Sequence, residues 1–297
     1  EKRYGATRHA AQPKIIDANL DVALYPQQRR ADYSGVFILQ NKNKKTIHEL
    51  VLNYAEFSSI TSLKYNQTIL EPQDIDFAHR RLRYSLPFPM KPGDNISLDV
   101  SLEVAYSGFS NDEFDYHGTI VADGSYFGSD FWPTLGYDNK RELQLSGLRQ
   151  DHNLGQKVST PYLHEAQDIS DLVISDDADF MTSRIRISTE LGQIALASGN
   201  IVEQQQKGDR SIVIFENNLK TLWDLHIVSA RYELIQEIWR PEGADTPITI
   251  EIYHHPKHGH NIPRIIEAAK QALAQGHQQW GLFPYQRLRI AEVPNGM

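Results

Sequence analysis

The 297-residue chain contains no cysteine. That excludes disulfides, thiolate nucleophiles and Cys-ligated zinc, and it leaves periplasm and cytoplasm equally open. Positive charge is also short: 30 Lys and Arg stand against 38 Asp and Glu, a formal net charge of −8. The basic residues are scattered, so nucleic acid is not an expected partner. No run approaches the ~20 apolar residues of a membrane span, and the opening stretch EKRYGATRHAAQP lacks the apolar core of a signal peptide. Several catalytic signatures are missing too. There is no G-x-S-x-G elbow, no P-loop and no G-x-G-x-x-G, which removes support for serine-hydrolase and nucleotide readings. The zinc-hydrolase signature H-E-x-x-H is absent as well. HELVL at 48–52 and HEAQD at 164–168 each lack the second His, and they read as strand and loop rather than as the required helix.

What is present is a β pattern. Hydrophobic residues make up 40% of the chain, enough for an ample core. From residue 18 to about 240 the dominant period is two. In NISLDVSLEVAY, Ile96, Leu98, Val100, Leu102, Val104 and Tyr106 alternate with polar or small residues, the mark of a strand with one buried face. ANLDVALYP, GVFILQN, ELVLNYA, RRLRYSL, SRIRIST, QIALASG, RSIVIFEN and HIVSARYELIQEIW repeat the theme, divided by turn formers such as Pro92-Gly93-Asp94 and Lys207-Gly208-Asp209. Two sheets packed or bent on each other are expected.

Near residue 241 the pattern changes. RPEGADTP reads as a loop and ITIEIYHHP as a last strand. NIPRIIEAAKQALAQG then shifts to helical spacing, with Ile262, Ile265, Ile266, Ala269, Ala272 and Leu273 on one stripe. Asn261 is the expected N-cap, Pro263 falls in the first turn, and Gly276 fits a C′ stop. RLRIAEV reads as a further strand. The expected division is a β domain over 1–242 and the start of a second, α/β domain over 243–297.

Three stretches invite chemical readings. YHHPKHGHN, residues 253–261, holds four histidines, but His254 and His255 are strand neighbours that point to opposite faces and cannot both serve one ion. With His258 and His260 on the following loop, solvated histidines rather than a metal site are expected. In SDDADF, Asp176, Asp177 and Asp179 lack EF-hand spacing and read as a solvated turn. GSYFGSDFWPTLGYDNKREL, residues 124–143, concentrates aromatics, glycines and acidic groups in an irregular stretch. It fits either a pocket-lining loop or a packed loop that ties two sheets together.

The segment YFGSDFWPTLGYDNKREL resembles one found in bacterial membrane proteins that fuse an ABC-transporter permease to a zinc aminopeptidase-like region of the aminopeptidase N family. The opening stretch EKRYGATRHAAQPKIIDANLDVALYPQQRRADYSGVFILQNKNKKTIHELVLN and LWDLHIVSARYELIQEIW look like strands of that family's N-terminal domain. YHHPKHGHNIPRIIEAAKQAL and FPYQRLRIAEVPNGM look like the start of its catalytic domain. The resemblance implies a mainly β, saddle-like multi-sheet N-terminal domain followed by the first strand-helix-strand of a thermolysin-like α/β catalytic domain. It also implies that the zinc signature lies beyond this chain, which opens without Met and stops at EVPNGM and so is expected to be a piece of something longer. Only Gly296 and Met297 match the family's G-A-M-E-N motif. Asp130 is, by position, the candidate for holding a substrate's free amino group.

The expected role is therefore to roof the active-site cleft of a membrane-tethered zinc aminopeptidase, with no cofactor in this piece and zinc in the parent. The implied partners are the rest of the catalytic domain, the transmembrane segments and a peptide substrate. The implied location is the bacterial inner membrane, on its extracytoplasmic side. A non-catalytic peptide- or protein-interaction domain of an ABC-type transporter is the alternative. The helical stripe over 262–273 is expected to need catalytic-domain elements outside the chain, leaving that segment docked on the β domain, self-associated or mobile.

Overall fold

The computed structural model describes residues 1–106, 118–128, 131–157, 177–222, 225–241 and 246–293. Within them the fold is mainly β, arranged in four sheets. The largest has eight strands in the order β14-β15-β12-β1-β2-β8-β4-β5. These are β14 (Asn200–Lys207), β15 (Arg210–Leu222), β12 (Phe180–Glu190), β1 (Lys14–Tyr25), β2 (Arg30–Gln40), β8 (Asn95–Ala105), β4 (Ser58–Tyr65) and β5 (Thr68–Ile69). The β1–β12 pair is parallel and its neighbours are antiparallel.

Two four-stranded sheets flank it. One runs β13 (Ile194–Ala197), β16 (Ile227–Ala230), β10 (Gly124–Phe127) and β9 (Gly118–Val121). The other runs β11 (Thr134–Leu135), β3 (Ile47–Asn53), β7 (Arg81–Met90) and β6 (Asp74–Asp76). A three-stranded sheet closes the chain with β17 (Glu233–Trp239), β18 (Ile248–His254) and β19 (Arg287–Ala291), the last two parallel and joined through helix α2 (Ile262–Trp280). A parallel pair requires such a crossover, and a helix supplies it. A short helix α1 (Ser146–Asp151) follows the second sheet.

The period-two pattern explains the core. Ile96, Leu98, Val100, Leu102 and Val104 of β8 are all buried, and so are Leu20, Val22 and Leu24 of β1. Each large side chain so placed contributes roughly 1.5–3 kcal/mol. One continuous cluster joins these residues to Phe127, Trp132, Phe215 and Ile227 from the flanking elements.

The aromatic stretch 124–143 is the knot between sheets. It places β10 in one flanking sheet and β11 in the other. Trp132 is buried, donates its indole N–H to the Leu225 carbonyl at 2.8 Å, and meets Tyr33 of the large sheet edge-on with ring centroids 4.9 Å apart. Asp177 corrects an expectation. Far from sitting in a solvated turn, it is fully buried, and its Oδ2 accepts the Leu135 N–H of β11 at 2.7 Å. A carboxylate spent on a backbone donor in this way fixes a loop rather than attracting an ion. Asp179 accepts from Lys42 at 2.5 Å, and Asp176 lies outside the described residues.

Three further expectations are revised. HIVSARYELIQEIW is two strands, not one: β16 pairs in a flanking sheet, the chain turns at Arg231 and Tyr232, and β17 enters the three-stranded sheet. Helix α2 continues through Gly276 to Trp280 and ends at Gly281, whose φ of 94° is the conformation a glycine stop allows. The helical stripe needs no outside partner. Ile262, Ala269 and Leu273 are buried against Ile248, Ile250 and Ile252 of β18, while Ala272 faces outward. Asn261 does occupy the N-cap position, although its side chain makes no capping bond there.

Candidate functional site

The three-stranded sheet presents two unlike faces, because its strands alternate. Ile248, Ile250 and Ile252 of β18 face α2; Thr249, Glu251 and Tyr253 between them face the β domain. Register then assembles a charged cluster. Glu251 pairs with Gln236 on β17 and with Arg289 on β19, and Arg287 lies two residues before Arg289 on the same face. Glu251, only 2% exposed, accepts from Arg287 Nη1, from Arg289 Nε at 3.0 Å, from Gln236 Nε2 at 3.2 Å and from Tyr253 Oη at 3.2 Å. Four donors thus converge on one buried carboxylate, which fixes the register of β17, β18 and β19 on this face. Burial, with the Glu251 charge beside it, pushes the Tyr253 phenol above its ordinary range.

Arg289 ties this unit to the β domain. Its Nη1 donates to the Gly199 carbonyl at 2.6 Å, and its guanidinium stands 5.4 Å from the Phe215 ring centre. Gly199 is required there: its φ is 99°, and a Cβ would come within 2.5 Å of the Glu216 carbonyl. An apolar contact of Tyr232, Tyr253, Leu196 and Ala230 completes the junction. Beside it opens a cavity of about 780 Å³, between the end of β15, the β13–β14 turn and the start of β19, with Arg287, Tyr285, Asn217, Asn218, Leu219 and His226 among its walls. Sequence reasoning missed this cluster and cavity. The only signal was the alternating RLR of β19 opposite an acid on β18, which means nothing until the parallel register is known.

The histidine stretch resolves differently. His254 is buried, with Nδ1 at 2.9 Å from the His255 carbonyl. His258 Nδ1 bonds one oxygen of Glu292, and the His255 backbone N–H donates to the other at 2.7 Å. Burial alone would raise the Glu292 carboxyl, but the His255 N–H and His258 hold it below its usual range. The stretch is a strand-to-helix connection fastened to the end of β19. Among the described residues, no group of three or more His, Asp or Glu side chains is placed to hold a metal ion. HELVL lies in β3, a strand, and HEAQD is outside the described residues. Asp130, Gly296 and Met297 are likewise outside them. No described helix is long and apolar enough to cross a membrane.

Solved structures share this architecture. The M1 zinc metallopeptidase from Deinococcus radiodurans superposes with a TM-score of 0.65 at 12% identity, over 95% of this chain and 56% of its own. A form of that enzyme bound to a Tyr-Ser-Ala substrate gives a TM-score of 0.62 at 14% identity over 96% and 57%. Legionella pneumophila aminopeptidase A in complex with aspartic acid gives 0.65 at 12% identity, over 96% of this chain and 29% of that one. The chain thus has the fold of the N-terminal part of an M1 aminopeptidase and spans little more than half the length of the first two neighbours. No family model matches the sequence. No curated protein matches it either.

Proposed function

We propose that this chain is the N-terminal saddle-like β domain (1–242), together with the opening strand-helix-strand of the catalytic domain (243–297), of a membrane-tethered zinc aminopeptidase-like polypeptide. It roofs the active-site cleft and is inert by itself. The observation that carries the reading is the extent of the likeness: it runs over 95–96% of this chain, in enzymes whose remaining length this chain does not span. Apolar side chains left outward on the three-stranded sheet and its helix, Ile238, Trp280 and Leu282, together with the edge of β19 that no described strand pairs, offer a surface for further catalytic-domain elements. Asp130 is assigned to the substrate's amino group, and Gly296 and Met297 to the start of the peptide-recognition segment.

The test is turnover of amino-acid anilides. The 297-residue chain is expected to show none, with or without zinc. The polypeptide extended through an H-E-x-x-H segment is expected to show zinc-dependent turnover, with KM raised in Asp130→Ala. Chelator-sensitive turnover by the 297-residue chain alone would overturn the reading. An extended polypeptide without the zinc ligands would replace it with the non-catalytic, transporter-associated alternative.

A further inference from the structure

The cavity beside the β13–β14 turn has a charge imbalance that the fold does not use. Glu251 carries one negative charge and is shared by two guanidinium groups. Arg289 is largely buried and donates through Nη1 to the Gly199 carbonyl. Arg287, by contrast, has a side chain that is 47% exposed and borders the cavity, where Lys140 is a further cation of the wall. Only its Nη1 is engaged, with Glu251, so Nε and Nη2 have no hydrogen-bond partner among the described residues. No described acidic side chain lines the cavity. Elsewhere on the wall Asn200, Asn217 and Asn218 carry amides, the Asn217 Nδ2 donating to Thr221 Oγ1 at 2.8 Å, while Leu196, Leu219 and Leu222 make apolar surface beside His226. Amide groups, apolar wall and a half-exposed guanidinium on one cavity complement an amide, an apolar side chain and a carboxylate. The last residue of a peptide carries those three groups.

We propose that this cavity binds the C-terminal residue of a short peptide, with the peptide's carboxylate on Arg287, its last amide against the Asn217 and Asn218 side chains, and its side chain toward Leu219 and Leu222. The site is independent of the reading given above. It takes the opposite end of a peptide from the one Asp130 would hold, and it lies wholly on residues of this chain. Arg289 positions it, pinning β19 to the Gly199 carbonyl so that Arg287 stands over the opening.

Calorimetric titration of the 297-residue chain with acetyl-Ala-Ala-Leu and with its C-terminal amide tests the proposal, the acetyl group removing any contribution from a free amino terminus. The free acid is expected to bind at least about tenfold more tightly than the amide, the ratio a charge-assisted hydrogen bond supplies. In Arg287→Gln the two should bind alike. Arg287 is half exposed and Glu251 retains Arg289 there, so the variant should keep its fold, which its melting temperature checks. The comparison of acid with amide in the unaltered chain decides the matter even if it does not. Equal binding of acid and amide, an acid preference that survives in Arg287→Gln, or no binding at millimolar peptide would each overturn the assignment.

Discussion

The large eight-stranded sheet and the closing three-stranded sheet are both built from alternating strands, yet they are completed differently. In the large sheet, the apolar faces of β1, β2, β8, β12 and β15 meet a single cluster drawn from three sheets. The small sheet has a core of its own on one face only, six buried residues shared by β18 and α2, and its other face meets the β domain through a charged cluster. It also leaves Ile238 70% exposed and Trp280 85% exposed. The first region is stabilised by area removed from water and the second by a few specific contacts. The two should therefore respond unequally to truncation, charge removal and pH.

The largest expected effect lies in the β domain. Trp132→Ala removes a buried aromatic that links two flanking sheets to the large one and strands the Leu225 carbonyl, so a loss of about 3–5 kcal/mol is expected in urea denaturation. Next comes the junction. Glu251→Ala leaves two arginines facing each other without their carboxylate, an expected loss of about 3 kcal/mol, with faster hydrogen exchange in β17, β18 and β19 and little change in β8. A result spread evenly over both regions would break the comparison. Leu273→Ala, in the smaller core, is expected to cost about 2–3 kcal/mol. That loss should be read in the protection of α2 and β18 rather than in the midpoint of the β domain.

The smallest effect concerns acid. Asp76 accepts from the Tyr4 hydroxyl at 2.5 Å and from Arg3 at 2.8 Å, fastening the N-terminal segment to β6. The Tyr4 bond, with help from His79, draws its pKa down to about 2 from an ordinary 3.8. A folded pKa below the unfolded one means that the contribution is present above 3.8 and disappears as pH falls through about 2. Asp76→Asn should therefore lower the melting temperature in the neutral range and flatten its decline across that window, the variant and the unaltered chain converging at the acid end. A decline as steep as in the unaltered chain would show that Asp76 does not carry it.

How far the sequence was legible follows the same division. β8, β1 and β12 could be read because one face of each is buried, which writes alternation into the sequence. β14 could not: all eight residues of NIVEQQQK are exposed, and only pairing with β15 makes them a strand. The helix end was misplaced because Gly276 looks like a stop, whereas the helix runs on to Gly281 at the cost of about 1 kcal/mol for an interior glycine. The histidine stretch was readable as a connection from strand geometry alone. The Glu251, Arg287 and Arg289 cluster was not, since its members are 36 and 38 residues apart in sequence and meet only through parallel register.

Hydrogen exchange of the 297-residue chain, followed residue by residue, tests most directly the claim of one completed domain joined to an opening unit. The account predicts slow exchange at a common rate in β1, β2, β8, β12 and β15, and faster exchange, by at least about a hundredfold, through β17, α2 and β19, with the outer edge of β19 fastest. Equal protection across both regions in a monomer would contradict it, because the last 50 or so residues would then be as fully stabilised as the β domain.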